Sequence, residues 1–155
     1  LELNSYSHGY GQITYHIVLV PKYRRKIFSG SVKRDCEKVI LEICARKGYR
    51  VISLHVADDH IHLFLEFHPT DSLSGVIKQL KGESAFLLFR LHPELRKMLW
   101  KGSLWSAGKF YRSVGNVTAD TIKHYINESQ EKPVVEGPGN QVCDTFLDKG
   151  LAGRT

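Results

Sequence analysis

Residues 57–66 read Ala57-Asp58-Asp59-His60-Ile61-His62-Leu63-Phe64-Leu65-Glu66, and the fold turns on them. The apolar run from His60 to Phe67 reads as a strand, in which alternate side chains leave on the same face. His60 and His62 therefore point one way, and Ile61, Leu63, Leu65 and Phe67 point to the opposite, core face. Two imidazoles with nothing to bind are poorly placed in a strand interior, so a divalent metal is the first candidate partner. Tyr49 to Val56 forms the preceding strand. The short Ala57-Asp58-Asp59 connection makes the two an antiparallel hairpin.

Further upstream, residues 12–20 are β-branched and apolar and are stopped by Pro21, which gives a first strand. From Ser31, a plausible N-cap, Val32, Cys36, Val39, Ile40, Ile43 and Cys44 recur at helical spacing as far as Gly48. Downstream, Pro69 ends the histidine strand. Asp71 or Ser72 can cap a second helix that carries Leu73, Val76, Ile77, Leu80, Leu87 and Leu88 on one stripe. Pro93 opens a short helical turn through Met98, and Trp105 to Val114 forms a fourth strand. Thr118 caps a last helix over 119–130. The order β-α-β-β-α-β plus a final helix is an α+β, ferredoxin-like split βαβ, with helices on one face of an antiparallel sheet. Its other face is expected to be open, carrying His60 and His62, with His16 near them if the first and third strands are neighbours. One domain over 1–132 and an extended or loosely docked tail over 133–155, rich in glycine, are expected.

Composition narrows the function classes. The chain has 155 residues, a formal charge of +6 and a pI near 9.3. That balance favours a polyanionic partner. No apolar stretch has transmembrane length, and the N-terminus lacks a signal-peptide apolar region, so no membrane partner is expected. Three cysteines without CxxC spacing suit a reduced, cytoplasmic protein, with Cys36 and Cys44 as core filler.

The motifs together resemble the small single-tyrosine HUH transposases of bacterial and archaeal insertion sequences. The residues that carry the resemblance are Tyr15-His16-Ile17-Val18 with Pro21-Lys22-Tyr23-Arg24-Arg25-Lys26, then Asp59-His60-Ile61-His62. Leu80-Lys81-Gly82-Glu83-Ser84 and Ile122-Lys123-His124-Tyr125-Ile126 follow in the family's order. The resemblance implies cleavage and rejoining of single-stranded DNA at imperfect hairpins by a homodimer. It names Tyr125, one of seven tyrosines, as the nucleophile of a 5′-phosphotyrosine intermediate. It also implies a divalent ion, Mg²⁺ or Mn²⁺, on His60 and His62. The family's usual third ligand, a glutamine four residues after the tyrosine, is here Ser129. On a regular helix Glu128 lies about 60° from Tyr125, Ser129 about 40° and Gln130 about 140°. A carboxylate is the stronger hard-metal ligand, which favours Glu128 and leaves Ser129 and Gln130 as alternatives.

Chemistry read from the residues agrees. A phenol with a pKa of about 10 is a weak nucleophile at neutral pH and needs activation. Asp59 can orient an imidazole from behind, or serve as a turn residue. Candidate phosphate contacts are Lys22, Arg24, Arg25, Lys26, Lys78, Lys81, Lys109 and Arg112, with Tyr23, Phe110 and Tyr111 available to stack on bases. Competing readings are a domesticated repeat-processing relative, an HUH replication initiator, and a non-enzymatic nucleic-acid-binding module. The module would present aromatics on its central strands, where this chain offers histidines.

Overall fold

The computed structural model describes residues 4–6, 9–11, 14–114, 122–124 and 126–127. Two short strands, β1 (Asn4–Tyr6) and β2 (Gly9–Gly11), pair antiparallel, a hairpin the sequence pattern does not signal. β3 (Thr14–Leu19), α1 (Gly30–Lys47), β4 (Arg50–Val56), β5 (Ile61–Glu66), α2 (Leu73–Leu91), α3 (Leu95–Met98) and β6 (Phe110–Val114) follow. The main sheet has the order β4-β5-β3-β6, antiparallel throughout. β3 and β4, joined through α1, leave room for β5 between them, which is the split βαβ arrangement. The α+β, ferredoxin-like expectation holds.

Local chemistry explains the element ends. Cys36, Val39, Ile40, Ile43 and Cys44 give α1 one buried stripe, and Gly48 stops it at φ 76°, where its lack of a Cβ removes the steric penalty. α1 begins before Ser31: Gly30 opens it, and Ser29 is the flanking residue. At α2 the Ser72 hydroxyl accepts from the Gly75 N–H at 3.0 Å, so the serine is the cap. α1 and α2 pack on the sheet face bearing Ile17, Leu19, Ile61, Leu63 and Leu65, and these join Ile40, Ile43, Ile77, Leu80 and Leu88 in one core. Burial pushes the Cys36 thiol up to about 12 and Cys44 to about 11, as befits inert core residues.

One expectation needs correction. The second sheet face is not open: Phe64 is 0% exposed, His62 1% and Glu66 3%. Val18, Val20 and Phe110 form a small apolar cluster of their own. The His16 ring stacks on both Phe64 and His62, with centroids 4.6 Å apart for His16–Phe64 and 5.1 Å for His16–His62. The fourth strand is shorter than expected, and Trp105 reaches the sheet by an isolated bridge to Pro21. Among the described residues no helix is long and apolar enough to cross a membrane. Residues 122–124 and 126–127 are helical, as expected of the last helix. Residues 133–155 lie outside the described residues.

Candidate active site

The histidine pair sits where the β4–β5 hairpin closes. The Ala57 N–H donates to the His60 carbonyl at 2.9 Å, and the Phe28 N–H donates to the Asp58 carbonyl at 3.0 Å, which fixes the connection from both sides. In the ladder Val18 opposes His62, and His16 opposes Phe64, so His16 and His62 are diagonal neighbours on one face. This is the neighbouring arrangement on which a role for His16 depended. His55 on β4 opposes His62 directly, its ring 6.2 Å away.

Five side chains form one polar chain. Arg24 Nε donates to Asp59 Oδ2 at 2.9 Å, and Asp59 Oδ1 lies 2.6 Å from His60 Nδ1. His60 Nε2 and His62 Nε2 are 3.0 Å apart, and His62 Nδ1 is 2.9 Å from His16 Nε2. An ionised Asp59 can only accept, so His60 Nδ1 carries a proton and donates to it, which leaves Nε2 facing His62. Burial opposes the Asp59 charge, but the hydrogen bond from His60 and the nearby Arg24 outweigh it and hold the carboxyl below its usual range. Burial, with the neighbouring His16, His60 and His55, pushes His62 down to about 2. Burial, with Arg112 and His60, pushes His16 down to about 4. Both rings are therefore neutral at neutral pH, the state in which imidazole binds metal.

The chemistry of the pair suits a divalent ion: His60 and His62 would hold it through the two Nε2 atoms, which face each other 3.0 Å apart. Each ring has a partner on its other nitrogen, Asp59 behind His60 and His16 behind His62, as ligating histidines require for orientation. Among the described residues no group of three or more His, Cys, Asp or Glu side chains is arranged to hold a metal ion. Tyr125, Glu128, Ser129 and Gln130 lie outside the described residues.

The cations predicted to meet phosphate are placed differently from one another. Lys26, Lys78 and Lys109 are exposed, with Lys26 Nζ 4.0 Å from Asp58 and Lys109 Nζ 2.6 Å from the Ser74 hydroxyl. The exposed Arg25 lies over the Trp100 ring at 5.0 Å, and the half-buried Lys22 over Tyr23 at 5.6 Å. Arg24 is committed to Asp59, and Arg112 stands opposite His16 in the ladder. Lys81 donates to the Ser106 carbonyl at 2.9 Å and to the Gly108 carbonyl. Ser84 of the same motif accepts from the Trp105 indole N–H at 2.9 Å. The Lys-Gly-x-Ser motif thus fastens α2 to the segment that enters β6. Phe110 is buried against Val18 and Val20 and faces away from solvent, which removes it as a stacking surface. Tyr111 is exposed. Sequence reasoning missed the Arg24–Asp59 pairing, because it depends on the left-handed backbone of Tyr23 and Arg24. It also missed Trp100.

The chain is similar to known proteins over most of its length. The family described as IS200-like transposase matches residues 10–129. The ISDra2 transposase TnpA of Deinococcus radiodurans is 33% identical over 121 residues, covering 78% of this chain and 86% of that protein. The transposase for insertion sequence element IS200 of Salmonella typhimurium is 33% identical over 141 residues, covering 88% and 93%. A crystal structure of a Deinococcus radiodurans protein assigned as a transposase superposes with a TM-score of 0.67 at 28% identity, over 80% of this chain and 96% of that one. A REP-associated tyrosine transposase bound to a REP hairpin shares the fold, with a TM-score of 0.52 at 15% identity over 96% and 87%. The chain belongs to the IS200-like transposase family.

Proposed function

We propose that this transposase cleaves and rejoins single-stranded DNA at the ends of its insertion sequence through a covalent tyrosine link. The observation that carries the reading is the pair of imidazoles with Nε2 atoms 3.0 Å apart, each backed by a partner on its far nitrogen. His60 and His62 would hold a divalent ion, Mg²⁺ or Mn²⁺, with Glu128, or else Ser129 or Gln130, as third ligand. Such an ion, when bound, polarises a phosphate oxygen and offsets charge in the transition state.

The chain's own residues do the rest. The Tyr125 hydroxyl attacks phosphorus, the bond to the 3′ oxygen breaks, and a 5′-phosphotyrosine and a free 3′-OH result. The phosphodiester energy stays in that link, so the 3′-OH of a second strand reverses the step without an external energy source. Asp59 and His16 hold the two imidazoles in the tautomers and orientations that ligation needs. Exposed cations, Arg25, Lys26, Lys78 and Lys109, meet the phosphates of a hairpin-bearing strand. The working unit is a homodimer in the cytoplasm. The relatives at 33% identity, an ISDra2 and an IS200 transposase, favour insertion-sequence mobility over repeat processing or replication initiation.

The test is a single-stranded oligonucleotide carrying the element's own end, incubated with protein and Mg²⁺ or Mn²⁺. A covalent protein–DNA adduct is expected, and Tyr125→Phe should abolish it while leaving binding of the hairpin largely intact. An adduct that persisted in Tyr125→Phe would remove the nucleophile assignment.

A further inference from the structure

We infer that Trp100, with Tyr23 and Arg25, is a stacking platform for an unpaired base of the bound DNA strand, a site that deepens the single-strand reading above and rests on it. Trp100 is 67% exposed, an unusual position for so large an apolar ring. It is not loose. The Arg25 guanidinium lies 5.0 Å from its ring centre on one side, and the Tyr23 ring is 5.1 Å away, tilted by 52°. Aromatic rings beside cations suit a nucleobase attached to phosphate, since every base offers a π-face and every nucleotide a negative charge. A paired base in a duplex has both faces occupied by its neighbours, so the platform selects single strands.

The backbone beneath the platform is built to hold it. Among the described residues the non-glycine residues with left-handed φ are Tyr23, Arg24, Trp100 and Lys101, at 62°, 49°, 51° and 59°. They lie on two turns packed side by side. The Lys22 N–H donates to the Leu104 carbonyl at 2.8 Å, and the Lys101 N–H donates to the Arg96 carbonyl at 2.7 Å. The two turns meet at Gly102, where an added Cβ would lie 2.8 Å from the movable end of the Lys22 side chain and 3.2 Å from the Leu99 carbonyl. Strained backbone of this kind persists only where the surroundings over-determine it, and it gathers at sites of function. The platform also adjoins the reacting centre in chain terms. Arg24, between Tyr23 and Arg25, is the residue whose side chain grips Asp59 behind His60. A base seated on Trp100 would be held by the same turn that orients the first metal ligand.

The experiment measures anisotropy of a labelled single-stranded oligo-dT and of a blunt duplex with the same number of phosphates, with chelator present so that no cleavage occurs. Trp100→Gly removes the ring without adding strain, because glycine is at ease at φ 51°. It should weaken oligo-dT binding roughly tenfold and change duplex binding less than about twofold. Trp100→Phe should restore most of the loss. Equal losses on both probes, no loss on either, or no rescue by phenylalanine would overturn the platform. Adduct formation by the unmodified protein separates the two readings. If the adduct forms and Trp100→Gly binds oligo-dT normally, the platform alone fails. If no adduct forms and the selective loss is seen, the platform stands and the catalytic reading fails.

Discussion

The two faces of the β5 strand are buried to almost the same extent and do opposite work. Leu63 and Leu65, on the helix side, are as hidden from water as His62 and Phe64 on the other. The helix face needs only shape, and α1 and α2 fill it with aliphatic side chains. The histidine face carries His16, His62, Thr14 and Glu66, polar groups that cannot be buried without partners. It solves this with hydrogen bonds: the chain from Arg24 to His16, the Thr14 hydroxyl on Glu66 at 3.2 Å, and Arg50 on Glu66 at 3.4 Å. Equal burial therefore does not mean equal purpose. One face is held by shape and the other by a connected set of hydrogen bonds around the imidazoles.

If that contrast is right, single substitutions on the two faces should fail in different assays. The largest effect is expected for His62→Ala, which should take metal-supported adduct formation below detection. Because His62 is buried and hydrogen-bonded at both ring nitrogens, the variant should also lose stability, so adduct formation is compared where the protein is still folded. Leu63→Ala should do the reverse, costing about 2–5 kcal/mol of stability by urea denaturation, with adduct formation intact wherever the protein remains folded. Loss of adduct formation in a folded Leu63→Ala protein, or its survival in His62→Ala, would erase the distinction.

Acid should also find the histidine face first. Folded His16 takes its proton near pH 4, whereas an unfolded histidine takes it near 6.5. As pH falls the unfolded chain is protonated first. The stability linked to neutral His16 is thus intact above about pH 6.5 and is lost as pH drops toward 4, and His62 extends the loss lower still. At about 1.4 kcal/mol per pH unit, His16 alone accounts for a loss of order 3 kcal/mol. Urea midpoints of the metal-free protein at pH 7.5 and 4.5 measure the sum of the two rings, and His16→Gln should reduce the dependence while His62 keeps the remainder. A midpoint independent of pH in this window would contradict the buried, neutral assignment. The smallest effect is expected at the back of the chain. Asp59→Asn should weaken metal binding by about 10–100-fold, read by titration calorimetry with Mn²⁺, and Arg24→Ala less.

Most of this architecture was legible in the residues. Alternation placed His60 and His62 opposite Ile61, Leu63 and Leu65, and the three-residue Ala57-Asp58-Asp59 connection made the hairpin. Gly48 and Ser72 announced their helix ends. The covered second face was signalled too, by Ile17-Val18-Leu19-Val20, an apolar run at both parities of the strand, which is the mark of burial on two sides. Asp59 could be suspected from its position beside His60, but Arg24 could not. Its partner is 35 residues away and is reached only through a left-handed turn, which side-chain chemistry alone does not encode. Trp100 escaped for a similar reason: nothing in Leu99-Trp100-Lys101 tells an exposed ring from a core one.

The fastening of α2 by Lys81 and Ser84 bears on how such proteins are recognised at all. The motif helped to mark this chain as a transposase, yet its side chains hold Trp105, Ser106 and Gly108 in place and carry no atom of the polar chain around the histidines. Selection on those two side chains is therefore selection on packing, and a chain could keep them while losing the histidine pair, so the motif speaks for the scaffold and the histidines must be read separately.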